Sequence, residues 1–233
     1  MSKEPNESKN LIPIYIIAYN NLTYIKNMIS QCEKFTTNIW IIDNASTNPK
    51  LLEYYKTFKY SLIRLSSNIG PRKCLEALYS HFPNKFICTD PDLQFSDTLP
   101  QDFISQLNTI SEKYKKYKVG LALDISKPNE YISKKYNGKE YPLEWESQFW
   151  KLRIPDPDYE IYEADIDTTF ALYTKKYFRG NFFESIRVAG AFTCEHLPWY
   201  KHDKLNISSE ELDWYRKGNI ASTVFMNSET EML

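Results

Sequence analysis

The run Lys85-Phe86-Ile87-Cys88-Thr89 leans apolar, and it ends in Asp90-Pro91-Asp92. Two carboxylates one residue apart at a strand exit reach a hard divalent cation together, and such a cation holds a diphosphate leaving group. Asp and Pro are also ordinary turn residues, so the motif alone also reads as a strand followed by an acidic turn. Comparable groups fall where other strands should end. Residues 12–18 run into Tyr19-Asn20-Asn21, where the tyrosine suits stacking on a base and Asn21 suits a helix cap. Trp40-Ile41-Ile42 ends in Asp43-Asn44-Ala45-Ser46. A carboxylate there accepts from the imide N–H of uracil and the neighbouring amide suits the ring or ribose, while the same pair also builds an Asx turn. Asn68-Ile69-Gly70-Pro71-Arg72-Lys73 offers a flexible glycine, a proline fit for a first helical turn and two adjacent cations. Those cations either neutralise a diphosphate and anchor a base or sit solvated on a helix face. Late in the chain, His196-Leu197-Pro198-Trp199-Tyr200 carries a lone imidazole that is either structural or completes an oxygen-rich metal site, where pairing with Asp92 favours Mn²⁺ over Mg²⁺.

Positioning these groups requires strands that end together. Residues 12–18, 39–43, 61–65, 85–89 and 119–123 read as short buried strands. Between them Leu22, Ile25, Met28, Ile29 and Cys32 recur at helical spacing, as do Leu51, Leu52, Tyr55 and Phe58, then Leu75, Leu78 and Phe82, then Phe103, Ile104, Leu107 and Ile110. The pattern predicts an α/β fold with a mostly parallel central sheet covered by helices on both faces, and ligands in such sheets bind at the carboxyl ends of the strands. After Asp124 the periodicity weakens. Residues 127–163 read as an irregular surface insertion with a short helix over 143–152, followed by strands over 166–173 and 186–192. A last helix follows Ser208, which has capping-box spacing to Glu211.

Composition removes several alternatives. Lys plus Arg number 29 and Asp plus Glu 30, so no bulk charge favours nucleic acid or an anionic membrane. No apolar stretch approaches the roughly 20 residues of a transmembrane segment. The polar start, residues 1–10, reads as a disordered leader without a secretory signal, and a cytoplasmic location is expected. Cys32, Cys74, Cys88 and Cys194 are widely spaced and read as buried free thiols. The length fits one domain over 1–233, with a donor half over about 12–125 and an acceptor-side half over about 126–226.

The order Tyr19-Asn20, Asp43-Asn44-Ala45-Ser46, Asn68-Ile69-Gly70-Pro71-Arg72 and Asp90-Pro91-Asp92 resembles the nucleotide-sugar-dependent glycosyltransferases of the A-type (GT-A) fold, family 2 and its relatives. The resemblance implies a Rossmann-like fold and transfer of a sugar from a nucleoside-diphosphate sugar, UDP-linked in first place, to a glycan or other hydroxyl acceptor. It implies that Tyr19, Asp43 and Arg72 surround the base, with Ala18, Asn20, Asn44, Asn68, Gly70 and Lys73 in the same donor site. It further implies that Asp90 contacts the ribose or sugar, and that Asp92 with His196 binds Mn²⁺ or Mg²⁺. One departure is Asn44, where many relatives carry a second acid.

An inverting transfer needs a carboxylate to deprotonate the acceptor. Asp167 and Glu146 are the candidates, and Trp145, Trp199 and Tyr200 are expected on the acceptor side. Two alternatives stand beside this. A sugar-nucleotide pyrophosphorylase would need a glycine-rich basic loop after the first strand, whereas Ala18-Tyr19-Asn20-Asn21-Leu22-Thr23 has neither Gly nor Lys. A non-catalytic nucleotide-sugar-binding module remains compatible with the same motifs.

Overall fold

A computed structural model describes residues 12–133, 140–201 and 204–217. The expected leader and the polar tail from Asn227 lie outside them. The N-terminal half alternates β1 (Ile14–Ala18), α1 (Leu22–Cys32), β2 (Ile39–Asp43), α2 (Pro49–Lys56), β3 (Ser61–Arg64), α3 (Pro71–Leu78) and β4 (Lys85–Thr89). Then come β5 (Leu93–Phe95), α4 (Phe103–Tyr114), β6 (Lys118–Leu121), α5 (Pro142–Ser147), β7 (Arg153–Ile154), β8 (Ile161–Glu163), β9 (Ala171–Thr174), β10 (Ser185–Val188), β11 (Cys194–His196) and α6 (Ser209–Arg216).

Every residue of β1 is buried because helices cover both faces of the sheet, which is why the strand reads as one apolar run. Tyr24, Ile25, Met28, Ile29 and Cys32 form the buried stripe of α1. Nine strands make one sheet in the order β3-β2-β1-β4-β9-β6-β10-β8-β7, and β9 and β8 run against the rest. The chain steps from β1 to β2 and β3 on one side and returns to β4 on the other. This reversal opens a crevice at the carboxyl ends of β1 and β4, the place where ligands bind in open α/β sheets. The architecture is the Rossmann-like α/β arrangement expected of a GT-A fold.

The second half departs from the sequence expectations in ways that matter for the site. Residues 127–163 are not an irregular surface insertion throughout, since they supply α5 and the edge strands β7 and β8. Helix α5 stops at Ser147 and continues only as a 3₁₀ turn over Gln148–Trp150. Strand β9 begins at Ala171 rather than at residue 166, leaving 164–170 without regular structure, and β10 ends at Val188 before a 3₁₀ turn over Gly190–Phe192. A separate antiparallel pair, β11 with β5, was not foreseen.

Gly120 in β6 explains how segment 164–170 lies against the sheet. A Cβ at Gly120 would sit 2.4 Å from the Phe170 carbonyl oxygen and 2.8 Å from Ile166 Cδ1, so only glycine admits this approach. The Leu121 amide then donates to the Phe170 carbonyl at 3.0 Å. All four cysteines are buried free thiols. Among the described residues no helix is long and apolar enough to cross a membrane.

Candidate functional site

A cavity of about 880 Å³ opens at the carboxyl ends of the strands. Its wall includes Ala18, Tyr19, Asn44, Asn68, Gly70, Arg72 and Lys73 from the donor half. Asp90, Asp92, Trp145, Glu146, Asp167, His196 and Trp199 line it as well. The volume suits a nucleotide-sized ligand.

Pairing of β5 with β11 sets the acidic end of the cavity. Register puts His196 opposite Leu93, the residue after Asp92, and the Leu197 amide donates to the Asp92 carbonyl at 2.9 Å. The His196 imidazole thereby lies beside the buried Asp92 carboxylate, with Nε2 3.6 Å from Oδ2. Asp92 Oδ1 and His196 Nδ1 are buried without hydrogen-bond partners, a costly state that points to a missing partner. Burial holds the imidazole below its ordinary pKa, against the opposing pull of Asp92, which keeps a ring nitrogen lone pair available. No group of three or more His, Cys, Asp and Glu side chains among the described residues is gathered for a metal. A carboxylate and an imidazole with unfilled valence nevertheless fit a divalent cation whose remaining ligands come from phosphate oxygens and water.

Asp90 is held from the other side. Its amide donates to the Thr168 carbonyl at 3.1 Å, and the Thr168 hydroxyl donates to its Oδ2 at 2.7 Å. Burial first, then the charges of Asp92 and Asp167, push the Asp90 carboxyl up to about 8.

In the N-terminal half the structure separates residues that wall the cavity from residues that brace it. Asn44 Nδ2 donates to Asn68 Oδ1 at 2.7 Å, and Asn44 Oδ1 accepts from the Ile69 amide at 3.0 Å, so two loops present one amide surface. Asp43 is behind that surface. Its fully buried carboxylate accepts from the Ser46 amide at 3.2 Å, the Tyr55 hydroxyl at 3.2 Å and Arg64 Nε at 3.0 Å. Those contacts use its acceptor capacity, and a base contact through Asp43 does not fit this placement. Asn20 is a brace too. Its Oδ1 accepts from the amides of Thr47 and Asn48 at 2.7 and 2.8 Å, and its Nδ2 donates to the Trp214 carbonyl at 2.9 Å. Asn20 and Ala45 take left-handed backbone, with φ of 54° and 61°.

Helix α6 closes this edge. Ser208 caps it, accepting from the Glu211 amide at 3.2 Å, and the Glu211 carboxylate reaches across to the Thr23 amide and hydroxyl, both at 2.6 Å. The Tyr19 hydroxyl donates to the Lys217 carbonyl, and Tyr215 joins the cavity wall.

The two carboxylates proposed from sequence as bases differ in setting. Glu146 is buried and ion-paired with Arg187 of β10, whose guanidinium lies 4.0 Å from the centre of the Phe149 ring and donates to the Asp165 carbonyl at 2.9 Å. Burial outweighs that cation and lifts the Glu146 carboxyl to about 7. Asp167 is exposed to the cavity within segment 164–170, not at a strand start, and its carboxyl is raised by desolvation against the lowering charges of Lys118 and Arg72. Trp199 packs against His196 with ring centres 4.7 Å apart and planes tilted by 52°, whereas Tyr200 packs inward on Tyr131, off the cavity wall. Arg187 and Lys118 escaped the sequence reading. The signal for Arg187 was a single cation inside an apolar strand, whereas Lys118 ends a lysine-rich run that reads as solvated.

No protein-family model matches the chain, and no curated protein sequence matches it. A solved structure does: GalNAc-T7 crystallised with UDP, GalNAc and Mn²⁺ superposes with a TM-score of 0.51 at 13% identity. The match covers 90% of this chain and 48% of that chain, so this chain spans about half its length. A cytidylyltransferase from Leptospira borgpetersenii serovar Hardjo-bovis aligns over 71% of this chain and 60% of its own, at 12% identity and a TM-score of 0.39. At these identities the likeness establishes the fold.

Proposed function

We propose that this chain is a metal-dependent glycosyltransferase that takes a sugar from a nucleoside-diphosphate sugar, UDP-linked in first place, and delivers it to a hydroxyl acceptor such as a glycan. The observation that carries the proposal is the pair of unpartnered atoms, Asp92 Oδ1 and His196 Nδ1, beside Asp90 at the strand ends of a nucleotide-sized cavity. Asp92 and His196 would hold Mn²⁺ or Mg²⁺, which when bound neutralises charge on the departing diphosphate. Tyr19 and the joined amides of Asn44 and Asn68 offer a face for the base, and Arg72 and Lys73 add positive charge beside it. Asp90, oriented by Thr168, contacts the ribose or sugar.

Asp167 is the better placed base for an inverting transfer. Its carboxylate faces the cavity with a raised pKa, whereas Glu146 spends an oxygen on Arg187. The GalNAc-T7 structure, which holds UDP, GalNAc and Mn²⁺ on the same fold, supports a sugar-nucleotide donor.

A thermal-shift panel of nucleoside diphosphates and their sugars, with and without Mn²⁺, tests the reading. A UDP-induced rise that needs Mn²⁺ and disappears in Asp92→Ala is expected. Absence of a metal-linked shift with every nucleoside diphosphate would sink it. Donor hydrolysis by the best hit then separates an enzyme from a binding module, and Asp167→Asn should lower turnover at least 100-fold where Glu146→Gln lowers it less.

A further inference from the structure

Lys118, at the first position of β6, is a fully buried lysine that forms no ion pair with a carboxylate among the described residues. Its ammonium donates to the carbonyls of Ile166 at 2.7 Å and Asp167 at 3.2 Å, and it lies over the rings of Phe182 and Tyr173 at 3.7 and 4.9 Å from their centres. Burying an ammonium outside an ion pair is costly unless hydrogen bonds compensate it, and here two backbone carbonyls and a ring face do so. The next residue on the same face of β6 is Gly120, where the absent Cβ admits Phe170 and Ile166. One strand face thus grips segment 164–170 twice, by a cation at its middle and by close backbone contact at its finish. That segment presents Asp165, Asp167, Thr168 and Thr169 to the cavity.

We propose that Lys118 is a positioning residue for the site, acting through the Ile166 and Asp167 carbonyls to hold the Asp167 carboxylate and the Thr168 hydroxyl in the cavity wall. The inference rests on the glycosyltransferase reading for its effect on turnover, but not for its effect on the segment. Lys118 never touches the cavity, so it acts through backbone and charge. The charged and titratable groups facing it are Asp167 and Asp165 from the segment, Cys88 from β4, Tyr173 from β9 and Arg187 from β10. Desolvation outweighs these and brings its ammonium down to about 7. Proton loss weakens both carbonyl bonds and removes the cation that restrains the Asp167 pKa, so the hold on the segment loosens above neutral pH.

Three measurements on the full chain test this. In Lys118→Met, amide hydrogen exchange of peptides spanning 164–170 should quicken at least tenfold while β1 and β4 stay protected, and Lys118→Arg should restore most of the protection. The lysine ¹³Cε resonance missing from Lys118→Met spectra should titrate near 7 in the wild type. In a donor-hydrolysis assay Lys118→Met should lower kcat at least tenfold with KM for the donor within threefold. Unchanged exchange in 164–170 would overturn the proposal, and a resonance titrating near 10 would overturn its pH dependence. If Lys118→Met fails to fold, Lys118→Gln takes its place in the exchange experiment. Should no nucleotide bind the wild type, the glycosyltransferase reading fails, while exchange and titration still decide the role of Lys118.

Discussion

His196 Nε2 stands 3.6 Å from Asp92 Oδ2, and the contact exists because two three-residue strands, β5 and β11, pair antiparallel outside the main sheet. Both side chains retain an atom without a partner. Replacing either should therefore weaken metal binding specifically: His196→Ala should raise the Mn²⁺ concentration needed for a half-maximal UDP shift at least tenfold while leaving the metal-free melting temperature within about 3 °C. Equal Mn²⁺ dependence in wild type and variant, measured by the same thermal shift, would remove His196 from the metal site.

Asp90 gives the empty protein a pH signature. Its carboxyl, ordinarily near 3.8, is raised to about 8, so between these values the folded chain holds a proton that the unfolded chain has released. Stability from this group is present at the acid end and is lost as pH rises towards 8. Urea denaturation from pH 5 to 8 should show a decline that flattens in Asp90→Asn. Mn²⁺ beside the site favours the ionised carboxylate, so the stabilisation it confers should grow with pH over the same range.

The Glu146–Arg187 pair is buried between α5 and β10. Removing one partner leaves an uncompensated charge, a loss of about 3–5 kcal/mol, whereas removing both with apolar residues costs far less. Denaturant midpoints should place Glu146→Leu, which strands the Arg187 guanidinium, well below the double variant Glu146→Leu/Arg187→Met, a non-additivity that a double-mutant cycle reads directly.

Gly120→Ala drives a methyl into the Phe170 carbonyl and Ile166. Overpacking of this kind costs about 3 kcal/mol and should displace the segment carrying Asp167. Loss of donor hydrolysis with UDP affinity kept within threefold is the expected pattern, because the base-side loops belong to β1, β2 and β3.

Ala45 sits at φ 61° between Asn44, which faces the cavity, and Ser46, whose amide serves Asp43. An L-residue there costs about 1–2 kcal/mol. Ala45→Gly should raise the unfolding free energy read from denaturant curves by up to about 1 kcal/mol, because glycine's greater freedom in the unfolded chain offsets part of the relieved strain, with nucleotide affinity within twofold.

Much of this was legible in the chain, and the pattern of success is physical. Buried parallel strands are apolar throughout, so β1, β2 and β4 announce themselves, and the polar residues at their exits mark the cavity. Asp43 and Asn20 were legible as site residues by position but not by role, because whether a side chain faces a ligand or braces its neighbour depends on partners such as Arg64 and Trp214, remote in sequence. Lys118 and Arg187 were hidden by the ordinary expectation that cations are solvated. The β5–β11 pair was hidden because three-residue strands carry too little pattern to read.

Helix α6 holds Thr23 through Glu211, Asn20 through Trp214 and Tyr19 through Lys217. The loop after β1 is thus finished by residues 188 to 198 positions further along the chain. During synthesis the N-terminal half can collapse around its own sheet as it emerges, yet the cavity wall at Tyr19 lacks these three contacts until residue 217 has left the ribosome. A nascent chain would be folded well before it is competent to bind.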